Sequence, residues 1–97
     1  MENIKFSWDE KKAKKNLLKH KVSFEEAKTV FGDENARLID DPDHSEDEDR
    51  FILIGLSFSL KMLTVVHCYR DDENSIRIIS ARKSTKNEEK QYKEFLS

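Results

Sequence analysis

Apolar residues fall along this chain in two rhythms. Helical spacing, with apolar positions three and four residues apart, occurs at Ala13, Leu17 and Leu18, and again at Phe24, Ala27, Val30 and Phe31. Capping boxes precede both stretches, Ser7-x-x-Glu10 and Ser23-x-x-Glu26, and a third, Thr85-x-x-Glu88, stands near the end. In such a box the hydroxyl accepts from an open backbone amide of the first turn and the glutamate returns the bond. The pattern predicts helices over about Asp9–Lys19, Phe24–Phe31 and Lys86–Phe95. Asp9 is a rival N-cap for the first, and Gly32 ends the second. The third is mostly charged and packs only through Tyr92, Phe95 and Leu96.

The other rhythm is that of strands. Ile4–Trp8 and Arg37–Ile39 are short candidates, and Phe51–Leu56 is a near-continuous aliphatic run suited to a strand covered on both faces. Lys61–Arg70 and Ser75–Arg82 follow, joined by Asp71-Asp72-Glu73-Asn74. Asp40–Asp49, which holds the only proline, Pro42, reads as a polar loop. The order implies an α+β layer pair: a meander of three or four antiparallel strands with helices on one face, leaving the other face or one end for a ligand. No repeat, Gly/Ser linker or low-complexity block interrupts it, so residues 1–97 form one domain.

Charge changes the picture more than composition does. The formal net charge is −2, but Asp40–Asp49 alone holds seven of the 20 acids. The remaining 87 residues hold all 18 lysines and arginines against 13 acids, a net +5. A cationic surface on a small domain points to a polyanion, most economically a nucleic acid. Cys68 is the single cysteine, which excludes an internal disulfide and fits a reducing cytosol. MENIKFSW lacks an apolar signal-peptide core, and no stretch approaches the ~20 apolar residues of a membrane span.

Candidate chemistry concentrates in the last two strands, where His67, Arg70, Arg77 and Arg82 stand among aliphatic residues. An imidazole titrates near neutral pH and can transfer protons, and guanidinium groups can clamp a phosphate and offset the charge of its transition state. Alternation puts Leu63, Val65, His67 and Tyr69 on one face. With a four-residue loop Asp71–Asn74, Arg70 opposes Ser75, His67 opposes Ile78, Arg82 joins the His67 face, and Arg77 joins Arg70. A bulge or a longer loop puts Arg77 with His67 instead. Sequence leaves the register open. Lys19 and His20, at the end of a lysine-rich helix, are candidates to follow a phosphate backbone, and Tyr92 to stack on a base. The plainer alternatives are a solvated helix face, a packing tyrosine and a histidine bonded within the sheet. No HxxxH or CxxC spacing and no Gly-rich phosphate loop occurs. Asp43-His44-Ser45 is the one place for a divalent ion, and a solvated turn is its ordinary reading.

Several strings carry a resemblance. Trp8-Asp9, Lys19-His20-x-Val22-Ser23-Phe24-Glu25-Glu26-Ala27, Asp43-His44-Ser45, Arg50-Phe51-Ile52, Ile54-Gly55, Val65-Val66-His67 and Ile76-Arg77-Ile78-Ile79-Ser80-Ala81-Arg82 together resemble the BrnT family of ribonuclease toxins, nearly end to end and in order. The resemblance implies a RelE-like α+β fold, metal-independent RNA cleavage without a cofactor, and neutralisation by a BrnA-type antitoxin through which the complex reaches DNA. It also raises the standing of His67, Arg77 and Arg82 as the catalytic set, with Lys19, His20, Arg70 and Tyr92 holding RNA. Two departures stand out: Lys21 where members often have glycine, and Ser59-Leu60-Lys61 where they often have a Gly-Arg turn. The expectation is thus a cytoplasmic endoribonuclease that arrests translation and growth. The alternative is a non-catalytic RelE/ParE-like toxin, or a nucleic-acid-binding partner that acts only as a co-repressor.

Overall fold

The structure, a computed structural model, describes residues 3–42 and 49–96, so Asp43, His44 and Ser45 lie outside the described residues. Strand β1 (Lys5–Ser7) leads into α1 (Glu10–His20) and α2 (Phe24–Thr29), which closes in a 3-10 turn, Val30–Gly32. Strands β2 (Arg37–Asp40), β3 (Phe51–Leu56), β4 (Met62–Arg70) and β5 (Asp72–Lys83) follow, then α3 (Lys86–Leu96). The sheet order is β1-β5-β4-β3-β2, with β2 to β5 an antiparallel meander and β1 added parallel to β5. Among the described residues no helix is long and apolar enough to cross a membrane.

Local chemistry fixes the helix ends. Asp9, not Ser7, caps α1: its Oδ1 accepts from the amides of Lys11 and Lys12 at 2.8 and 3.2 Å, while Ser7 belongs to β1. Those amides hold the Asp9 carboxyl below its usual range. Ser23 accepts from the Glu26 amide at 3.0 Å, yet Glu26 does not return the bond. Its carboxylate instead accepts from Ser57 and Ser59 at 2.7 and 2.5 Å, tying α2 to the β3–β4 hairpin. Only Thr85 and Glu88 form a reciprocal box, at 3.1 and 2.8 Å.

The core lies between α1, α2 and one sheet face. Val22, Phe24, Ala27 and Val30 pack on Leu53, Leu63, Val65, Ile78 and Ala81. Each large aliphatic or aromatic side chain buried there contributes about 1.5–3 kcal/mol over leaving it in water. Gly55 has no room for a side chain, since a Cβ there would come within 2.9 Å of the Ala36 Cβ and 3.0 Å of Val30. Asn16 is the buried polar residue of α1. Its amide donates to the Val22 and Ala81 carbonyls at 2.9 and 2.8 Å and accepts from the Ala81 amide at 3.1 Å. β1 stops pairing at Arg77, so beyond it the Asn16 side chain takes the place of the missing strand.

Among the described residues, three that are not glycine adopt left-handed backbone: Lys21 at φ 61°, Leu60 at φ 62° and Asp71 at φ 63°. Lys21 is the C-cap of α1, its amide bonded to the Leu17 carbonyl, a position that favours glycine. Leu60, 78% exposed, turns the β3–β4 hairpin. Both departures from the family pattern therefore fall where a Cβ is costly. Lys21→Gly and Leu60→Gly should each raise the unfolding free energy by about 0.5–1 kcal/mol, the relief of strain being partly offset by glycine's freer unfolded chain. Urea unfolding midpoints check this, and an unchanged or lower midpoint would contradict it. Aspartate tolerates the left-handed region better, so Asp71 carries less of this strain.

Candidate nucleic-acid interface

One irregularity in β5 decides which residues meet. His67 opposes Ile78, Cys68 opposes Arg77 and Tyr69 opposes Ile76, but Val66 opposes Ser80, leaving Ile79 as an extra, bulged residue. The turn differs from the four-residue expectation too, because Arg70 opposes Asp72 across Asp71 rather than Ser75. The bulge lies on the far side of Arg77 from the turn, so it is Arg82 that changes face. Arg82 opposes Thr64, not Leu63, and joins Arg77 and Arg70 on the face away from α1 and α2.

His67 is on the other side. It is fully buried, with its ring 4.8 Å from Phe31, 5.5 Å from Tyr69 and 6.2 Å from Phe51, measured between centroids. Its Nδ1 is 3.4 Å from the Val65 carbonyl, and Nε2 has no hydrogen-bond partner among the described residues. Burial pushes the imidazole down to about 4, with the Val65 carbonyl opposing weakly. The expected convergence of His67 with Arg77 and Arg82 in one pocket is not met, because the bulge turns Arg82 away and alternation does the same for Arg77.

That buried ring makes stability depend on pH. The unfolded chain binds a proton on it near pH 6.5 and the folded chain only near 4, so its contribution is full above 6.5 and falls as pH drops toward 4. Between pH 7 and 5 the loss should be about 2 kcal/mol. A His67→Phe variant, whose ring suits the aromatic surroundings, should lose this dependence in denaturant unfolding. The window lies above the carboxylates that folding holds low, Asp9, Glu26, Asp33 and Glu88. An equal pH slope in parent and variant would refute the assignment.

The second sheet face collects arginines. Arg37 opposes Ile54, Ile54 opposes Thr64, and Thr64 opposes Arg82, so two arginines end one row across the sheet. The next row is Ile39, Ile52, Val66 and Ser80, all half-buried. One step further, Arg50 precedes β3 and its carbonyl accepts from the Asp41 amide. By alternation it faces the same side as Cys68 and Arg77, and Arg70 ends that side of β4. All five arginines of the chain therefore share one face around an aliphatic floor. Sequence reasoning missed Arg37 and Arg50. The available signal was that every arginine falls in or beside a strand, whereas most lysines fall in helices.

α3 covers one end of this face. Arg82 and Glu88 form a two-pronged pair at 2.8 and 2.9 Å, and the Glu88 carboxylate also accepts from Thr64 at 2.9 Å and from the Thr85 amide. Burial works against the charge of Glu88, but Arg82, Thr85 and Thr64 outweigh it and bring the carboxyl down to about 2. The same pairing holds the Arg82 guanidinium above its usual range. Tyr92 is 4% exposed and its hydroxyl donates to Asp33 at 2.8 Å, which fastens α3 to the loop before β2. Burial, then the Asp33 carboxylate, pushes that hydroxyl up to about 12. Lys19 and His20 lie apart from the arginines, beside the β5 edge with Lys12 and Lys15. The arrangement can hold an extended polyanion over an apolar floor and concentrate positive charge on one of its phosphates.

The fold matches a solved structure, the 1.1 Å crystal structure of the Brucella abortus ribonuclease toxin BrnT, with a TM-score of 0.63. The match covers 86% of this chain and 99% of that one at 22% identity. No curated protein sequence matches the chain. A family model described as the ribonuclease toxin BrnT of type II toxin–antitoxin systems matches residues 8–88. That match over most of its length places the chain in the BrnT family of toxins.

Proposed function

We propose that this toxin is a RelE-like endoribonuclease whose arginine face binds and cleaves RNA, arresting translation until a BrnA-type antitoxin covers it. The gathering of Arg37, Arg50, Arg70, Arg77 and Arg82 on one sheet face carries this reading. In the reaction a 2′-hydroxyl attacks the adjacent phosphate and the bond to the departing 5′ oxygen breaks. The products are a 2′,3′-cyclic phosphate and a free 5′-hydroxyl. Such a step requires in-line positioning and stabilisation of the crowded phosphoryl oxygens, which fork-shaped guanidinium donors supply. Arg77 and Arg82 fill that role, and Arg70 binds the strand. His67 takes no part, since its ring is sealed in the opposite layer. The antitoxin brings the pair to its operator, so DNA is reached only through the complex.

Among the described residues no imidazole stands beside the arginines, which favours one second reading, a non-catalytic toxin or co-repressor that only binds nucleic acid. Incubation of the purified protein with RNA in chelator separates the two. Fragments with cyclic-phosphate ends support the enzyme, retention of intact RNA supports the binder, and a result showing neither would overturn both.

A further inference from the structure

The arginines are not the groups best placed to supply raw affinity for a polyanion. Four of the five are engaged: Arg82 is paired with Glu88, and Arg37, Arg50 and Arg70 each have an interaction within the molecule. A cation already engaged inside the fold releases fewer counterions when a phosphate arrives. The lysines of α1 differ. Lys12, Lys15 and Lys19 stand at helical spacings of three and four residues, hence on one stripe with Asn16 between them. All three are exposed, and none forms an ion pair among the described residues.

Their position matters as much as their charge. Asn16 pins this stripe to Ala81, so Lys12, Lys15, Lys19 and His20 line an open groove of about 310 Å³ whose opposite wall is Ile79 and Ser80. Ser80 is also the β5 member of the central row of the arginine face, flanked along the strand by Arg77 and Arg82. Among the described residues β5 carries no strand beyond its pairing with β1 at Arg77, so nothing described in the sheet separates groove from face. The bulged Ile79 marks the crossing point.

We propose that the α1 stripe is a phosphate track for the part of the RNA that leaves the arginine face over the β5 edge. This rests on the RNA reading above and adds a division of labour, in which the lysines hold the strand and the arginines act on one phosphate. From Lys12 to Lys19 the stripe runs about 10 Å, enough for roughly three stacked nucleotides.

The test compares the parent with Lys12→Gln/Lys15→Gln/Lys19→Gln and with a control of equal charge change, Lys11→Gln/Lys14→Gln/Lys90→Gln. Glutamine matches lysine in helix propensity, so the fold is retained. Affinity for a single-stranded RNA of about 20 nucleotides is measured against salt. Loss of three phosphate contacts should flatten the log–log slope by about 2 in the track variant and by far less in the control. In cleavage of the same RNA the defect should fall on KM rather than kcat. An unchanged slope in the track variant, or equal flattening in the control, overturns the track while leaving the RNA reading intact. Wild-type protein that neither retains nor cleaves RNA overturns both.

Discussion

An Arg77→Gln variant should cleave RNA about a hundredfold more slowly than the parent while melting within a few degrees of it. Glutamine keeps much of the side chain's reach and loses the charge and the fork of donors. Removing one preorganised donor from a developing phosphoryl charge costs on the order of 10²-fold, or about 2.7 kcal/mol of barrier. The fold loses little, because the Asp9 carboxyl near Arg77 is held mainly by the Lys12 and Lys11 amides. Arg82 calls for a different design. Taking it alone would leave the Glu88 carboxylate, held at about 2, without its partner on the covered end of the sheet, and instability would mask any catalytic defect. The double variant Arg82→Gln/Glu88→Gln removes both charges together and should show a loss of similar size. Undiminished cleavage in both variants would take the arginine face out of the mechanism.

Asn16→Leu should destabilise the protein by about 3–5 kcal/mol, a large share of the 5–15 kcal/mol typical of a domain. The change strands the Val22 carbonyl and both the amide and the carbonyl of Ala81 in a buried setting. Each such orphan costs about 1–3 kcal/mol. Asn16→Asp should also be harmful, since a carboxylate can still accept from the Ala81 amide but sets an anionic oxygen against two carbonyls. Denaturant unfolding measures the effect. A loss below about 1 kcal/mol would show that water takes over these bonds, and that the β5 edge does not depend on α1 for its partners.

How much of this was legible in the sequence depended on range. Ser23, Asp9 and Thr85 announce helix starts through bonds spanning two or three residues, and those signals identify all three helices. The second helix ends sooner than its apolar spacing suggests, passing into a 3-10 turn at Val30. Strand positions were also readable, because aliphatic runs such as Phe51–Leu56 have few other fates. The face of each arginine was not readable, since Arg77 and Arg82 are an odd number of residues apart and a regular strand would separate them. Only the partner strand reveals the bulge. Asn16 was hidden for a similar reason: among Lys12, Lys15 and Lys19 it looks like one more polar position on a wet helix, and its partners lie 65 residues away at Ala81. His67 sat correctly among sheet residues, but its aromatic enclosure by Phe31 and Phe51 depends on contacts that no local pattern encodes.

The unmatched residue in β5 has a consequence for how the chain tolerates changes of length. Ile78 and Ser80 already pair with adjacent residues of β4, so deleting Ile79 would straighten the strand and preserve every facing across the ladder. A deletion at residue 82 would instead slide Ser80 toward the packed layer opposite Val65, where Ala81 now sits. Position 79 is thus a slack link: the strand can be shortened there without turning any guanidinium inward.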